Sequence, residues 1–189
     1  MNMIKTDHAT QLSPVSIALH WSIAVIIILL LASGIYMEEN EVYALYPWHK
    51  SFGMLVLLFV VLRVIWRIYN GWPESAANHA PIEKITARIV HYILIIASLL
   101  MPLSGVLMSG LGGHGLHLFG LELLATNLDP NHPGKVMPIN GTIAGLAHQM
   151  HGVLGNIIIV ALVLHILGAL KHHILDKDHT LKRMLGRKP

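Results

Sequence analysis

Residues 151–165 read HGVLGNIIIVALVLH, a histidine at each end of thirteen uncharged, mostly aliphatic residues. Burying an imidazole in so apolar a stretch is costly unless something binds it. As a helix rising 1.5 Å and turning 100° per residue, the step from His151 to His165 spans about 21 Å and returns to within about 40° of the same face. The stretch predicts a long apolar helix with two histidines on one side, at two depths.

The rest of the chain shares this character. Of its 189 residues, 54% are hydrophobic and 12% charged, with a mean hydropathy of +0.60, far more apolar than a soluble domain. Four stretches, at about 14–37, 48–69, 85–109 and 143–170, reach the roughly 20 residues a helix needs to cross a hydrocarbon core. A soluble helical protein would show polar faces, and ALHWSIAVIIILLLASGIYM at 18–37 has almost none. The expected fold is all-α, a single integral membrane four-helix bundle over residues 1–189. The first span is too long for a signal-peptide core and no Ala-x-Ala-like site follows it, so it reads as a helix that stays.

Charge orients the spans, since Lys and Arg gather at the cytoplasmic ends of membrane helices. Lys5, Arg63, Arg67, Lys84, Arg88, Lys171, Lys177, Lys182, Arg183, Arg187 and Lys188, eleven of the thirteen basic residues, fall on the face that holds both ends of the chain. Only Lys50 and Lys135 fall opposite. Both termini are expected in the cytoplasm and the segment 110–142 outside. The outer segments, with Glu38, Glu39, Glu41, Glu122 and Asp129, are net acidic. The connection NGWPESAANHAPIEK at 70–84 reads as a turn region, Pro102 is placed to kink the third span, and residues 116–124 form a short amphipathic piece.

The chain has no cysteine, which removes disulfides, iron–sulfur clusters, thiolate-bound haem and covalent c-type attachment. Its fourteen histidines are the abundant strong ligands. His20 and His165 each lie about 9 Å inside the cytoplasmic boundary, and His49 near the outer end of the second span matches His151. Two histidine pairs at two levels, without intramembrane carboxylates, suit two b-type haems, because neutral imidazole binds haem iron and a flat macrocycle fits an apolar slot. Gly53, Gly152 and Gly155 would give it close access to backbone or simply pack helices. His148 is turned about 100° from His165 and is the poorer partner in register than His151. His91 sits at the same depth as His20, and spacing does not choose between them. His114, His117 and His132 read as loop residues rather than as a metal site.

SIALHW at 16–21, WHKSFG at 48–53 with VLRVIWR after it, HYILIIASLLMPLSGVLM at 91–108, HGVLGN at 151–156 and KHHILDKDHTLKRM at 171–184 together resemble the bacterial cytochrome b561 family. The ordered set covers all four spans. The resemblance implies a four-helix bundle of the inner membrane enclosing two b-type haems, the lower held by His20 and His165 and the upper by His49 and His151, with His91 left as a non-ligand. It also implies single-electron transfer between a donor and the quinone pool, in one form as a superoxide oxidase that reduces ubiquinone. His91, His172 and Arg63 are then available around the lower haem, the histidines toward quinone. Arg63, about 21 Å below His49 on a similar face, suits either a haem propionate or a snorkelling helix end. The net acidity of the outer segments sits poorly with an anionic donor, so superoxide and a redox protein both stand as donors.

Two further readings compete. The chain could be a cytochrome b anchor that relays electrons from a partner dehydrogenase or hydrogenase to quinone. A haem-free transporter of protons or metal would call for acidic residues or broken helices in the spans, and the spans contain no Asp or Glu. Membrane lipid is the expected surroundings, with residues 182–188 toward anionic headgroups, and no nucleic-acid partner is expected.

Overall fold

The structure is a computed structural model and describes residue 7, residues 11–71 and residues 79–187. Lys5, Lys188 and residues 72–78 of the 70–84 turn region lie outside the described residues. Four long helices dominate: α1 Pro14–Asn40, α2 Tyr46–Asn70, α3 Pro81–Leu111 and α4 Gly141–Ile174, each long and apolar enough to cross a membrane. A short helix α5, Thr180–Met184, follows.

Local chemistry sets the helix ends, and each helix runs a few residues past its apolar run because capping, not hydropathy, stops it. Ser13 caps α1 by accepting from the Ser16 amide at 3.1 Å, with Pro14 in the first turn. Glu41 ends it in the left-handed region. Proline also opens α2 and α3, and Asn140 caps α4 by accepting from the Ile143 amide. The helix α3 continues through Pro102.

The amphipathic piece at 116–124 is a β-hairpin, β1 Leu116–Leu118 against β2 Leu121–Leu124. Its two turn residues, Phe119 and Gly120, both have positive φ, the conformation that suits the twist of a two-residue hairpin. Ser51 of α2 ties it down, accepting from the Phe119 amide at 2.9 Å and lying 3.2 Å from the His117 carbonyl. Gly113, at φ 84°, has no substitute, since a Cβ there would lie 2.2 Å from the Met137 carbonyl oxygen.

The bundle consists of two tight helix pairs. The helices α3 and α4 pack closely, as do α1 and α2, and α2 joins α3, whereas neither α1 nor α2 makes an extensive close backbone approach to α4. Between them lie two buried apolar clusters, Ile23 with Val56 and Val60, and Ala97 with Leu154 and Ile158. The outward faces are apolar as well: Leu29, Val153 and Val160 are each about 60% exposed. In a bundle that crosses a membrane such side chains meet lipid tails, and the helices keep every backbone bond internal.

The face that carries the chain ends is laced with polar contacts. Arg67 of α2 reaches Asp7 and Ser16 at 2.6 Å each, Trp66 donates to Ser16, and Trp21 of α1 donates to the Met184 carbonyl of α5 at 2.8 Å.

Candidate functional site

The helices bring the four histidines of the two expected pairs opposite one another, each pair with its ring planes steeply inclined. His49 on α2 and His151 on α4 have ring centroids 6.4 Å apart, and His20 on α1 and His165 on α4 have theirs 6.2 Å apart. An imidazole nitrogen binds a first-row metal ion at about 2 Å with its ring centroid about 1 Å behind, so two imidazoles sharing one ion from opposite sides have centroids about 6 Å apart. Both pairs have that spacing. His91 on α3 stands 5.2 Å from His165, an edge contact closer than that arrangement gives.

Hydrogen bonds fix the tautomers of the upper pair. Nδ1 of His151 lies 3.0 Å from the Met101 carbonyl, which only accepts, so this nitrogen carries the proton. The Ser104 hydroxyl, which donates to the same carbonyl at 2.6 Å, lies 3.0 Å from Nδ1. On the other side Ser33 donates to the Leu30 carbonyl and therefore accepts from Nδ1 of His49 at 3.1 Å. Both rings are left with a bare Nε2, the arrangement in which an outer partner orients a metal-binding histidine.

Sequence reasoning missed these serines and the glycines beside them. A Cβ at Gly34 would lie 3.4 Å from Cε1 of His49, and one at Gly105 would lie 3.3 Å from Cε1 of His151. The signal was a repeated Ser-Gly pair in two aliphatic runs, ASGIY at 32–36 and LSGVL at 103–107. Of the glycines singled out from the sequence, Gly53 and Gly152 face open space, while a Cβ at Gly155 would touch Met101. Gly53, His49, His151, Val56 and Ile158 line one apolar cleft between the helix pairs.

At the lower level Nδ1 of His20 is buried without a hydrogen-bond partner among the described residues. Arg63 is half-buried, close enough for its charge to act on His20, His91 and His165, and makes no hydrogen bond or ion pair among the described residues. A guanidinium so placed calls for an anion. His172, about two turns past His165, has its ring against His79 and Nδ1 2.8 Å from Asp176.

On the far side, Tyr46, Trp48, Lys50, His114, His117 and Phe119 surround a pocket at the start of α2. Burial and the nearby Lys50 hold His114 below its ordinary pKa. Two of the outer acids are engaged, Glu122 with His117 at 3.4 Å and Asp129 with His132 at 2.8 Å.

The apolar cleft, bare Nε2 atoms and matching ring separations fit b-type haem. The sequence profile of prokaryotic cytochrome b561 matches residues 11–187. Cytochrome b561 homolog 2 of Escherichia coli (strain K12) is 33% identical, over 96% of this chain and 95% of that protein. Cytochrome b561 homolog 1 of the same organism is 26% identical over 94% and 98%, and the probable superoxide oxidase CybB of Yersinia pestis is 24% identical over 93% and 96%. Since the match runs from before α1 to beyond α5 and takes in every paired histidine, the chain belongs to the prokaryotic cytochrome b561 family of transmembrane electron-transfer proteins, for which b-type haem is the implied cofactor.

Proposed function

We propose that the chain carries electrons between an outer-face donor and membrane quinone through two b-type haems, one held by His49 and His151 and the other by His20 and His165. The observation that carries this reading is the near-equal separation of the two ring pairs, 6.4 and 6.2 Å, at two levels of one bundle. Bound haem supplies reversible one-electron chemistry at each level, and the chain supplies position, electrostatics and an apolar wall.

Each residue then has a task. Ser33, Ser104 and the Met101 carbonyl aim the upper imidazoles, and Arg63 offers its free guanidinium to a propionate of the lower haem. His91 beside His165, and His172 below, offer ring nitrogens to a quinone headgroup. The excess of basic residues supports an orientation with the face of the termini in the cytoplasm and the hairpin outside, in a bacterial inner membrane.

Superoxide is the donor we favour. The support is the name of the Yersinia relative, a probable superoxide oxidase, together with the pocket of Lys50, His114 and His117 at the start of α2, since a local cation draws a small anion despite an acidic surround. The test is vesicles with the hairpin face outward, loaded with ubiquinone and supplied with superoxide from outside. Quinol should form at a rate that falls with added salt and falls further in Lys50→Glu. Quinone reduction that requires an added dehydrogenase or hydrogenase subunit, with none from superoxide, would favour the anchor reading instead.

A further inference from the structure

A second set of ligating atoms lies apart from both histidine pairs, where the chain entering α3 meets the end of α4. His79, Glu83, His172 and Asp176 each bring one nitrogen or oxygen to within 4.8 Å of the others. Nδ1 of His79 is 3.8 Å from Glu83 and 4.0 Å from Asp176, too far for hydrogen bonds. The other nitrogen of that ring, Nε2, is 3.1 Å from Asp178, whose side chain is 5% exposed. A carboxylate only accepts, so Nε2 carries a proton, and in the neutral ring Nδ1 is a bare acceptor facing two carboxylates. Lys171 bridges the two carboxylates from one side, and a cation among the four groups would also engage the bare Nδ1 of His79.

Spacing and charge both suit a divalent ion. Donors bound at about 2.0–2.1 Å around a tetrahedral ion sit roughly 3.3 Å apart, so the gaps at His79 close by about 0.5 to 0.7 Å and the 2.8 Å contact of His172 with Asp176 opens by about half an ångström. The proton held by Asp178 is the outer-shell bond that orients a metal-bound imidazole. Glu83, Asp176 and Asp178 carry three negative charges, and Lys171, 2.8 Å from Oε1 of Glu83 and 2.9 Å from Asp176, offsets one. With neutral imidazoles the cluster is left two negative charges in excess. Lys171 contacts Oε1 of Glu83, whereas His79 faces Oε2; at Asp176 Lys171, His79 and His172 all face Oδ2, so the second carboxylate oxygen is the one left for the lysine when an ion binds.

We propose that His79, Glu83, His172 and Asp176 form a binding site for a divalent first-row transition ion, with zinc the best match to a two-imidazole, two-carboxylate set. The ion staples the start of α3 to the end of α4 on the face that carries the termini. It uses Nδ1 of His172, whose proton, now shared with Asp176 at 2.8 Å, passes to solvent as the ion binds, and does not involve Nε2.

The experiment uses the tag-free, haem-loaded chain in detergent, stripped with chelator and dialysed against micromolar zinc or an excess of magnesium. The expected result is one tightly held zinc per chain, no magnesium, and an X-ray absorption spectrum showing imidazole and oxygen ligands. His79→Ala and Glu83→Gln should each weaken zinc binding by about tenfold or more, with unchanged circular dichroism, while His132→Ala, in the exposed loop pair, binds as the parent does. Zinc should raise the thermal midpoint of the parent and not that of His79→Ala. Failure to retain zinc, a ligand shell without imidazole, or equal affinity in parent and Glu83→Gln would overturn the proposal. Should His79→Ala fold poorly, Glu83→Gln and the absorption spectrum of the parent decide it.

Discussion

The hydroxyl of Ser104 lies 3.0 Å from Nδ1 of His151, and Ser33 stands 3.1 Å from Nδ1 of His49, so each ring of the upper pair has a serine behind it. The pairs are not equivalent, because His151 has the Met101 carbonyl as a second acceptor, whereas Nδ1 of His49 has its serine alone among the described residues. An outer hydrogen bond raises the basicity of a ligating imidazole, and losing it favours the reduced iron. Ser33→Ala should raise the midpoint potential of the upper haem by up to about 40 mV, the one-electron equivalent of a bond of roughly 1 kcal/mol. Ser104→Ala should move it less. Redox titration of the two variants checks the order, and an equal or reversed shift contradicts it.

A glycine prediction separates protein crowding from cofactor crowding. Gly105→Ala places a methyl group 3.3 Å from the ring of His151, so that ring must shift and the upper haem should be lost or its potential altered. Gly152→Ala meets nothing of the chain within 4 Å and should fold as the parent does. Thermal unfolding of haem-free and haem-loaded forms distinguishes the two: Gly105→Ala should perturb both, and Gly152→Ala at most the loaded one.

Much of this was legible in the sequence, for definite reasons. Membrane spans follow from uninterrupted apolar runs, and the depths of His20, His49, His151 and His165 follow from the fixed rise of a helix. What periodicity did not reach was anything set between helices. The tie between His91 and His20 at one depth gains a geometric difference only when α1, α3 and α4 are placed, giving separations from His165 of 5.2 and 6.2 Å. Ser33 and Ser104 look like ordinary packing residues until a partner helix brings a ring to them. The hairpin was hidden because Phe119 at positive φ has no composition signature. The cluster at His79 joins residues about a hundred positions apart, and only folding brings them together.

Acid should loosen the start of the chain before the bundle. Burial raises the pKa of Asp7, but bonds from the Ser13 amide, Ser16 and Arg67 outweigh it and hold the carboxyl below its ordinary 3.8. A folded-state pKa below the unfolded one gives stability that is fully present above the unfolded value and is lost as pH falls through the folded one. Amides at the start of α1 should therefore exchange with solvent faster below about pH 4, and Asp7→Asn should show faster exchange, by about tenfold, already at neutral pH. Exchange that ignores both pH and the substitution would contradict this.

The central claim is that two histidine pairs serve two separate haems, and haem content with difference spectra tests it most directly. The purified parent should hold two haems per chain, both removed by acid–acetone because no cysteine tethers them. His151→Ala and His165→Ala should each keep one haem, with different spectral components surviving, while His20→Ala loses the component that His165→Ala loses and His91→Ala keeps both. A single haem in the parent, the same component lost from His151→Ala and His165→Ala, or loss of the lower haem from His91→Ala but not from His20→Ala would contradict the account.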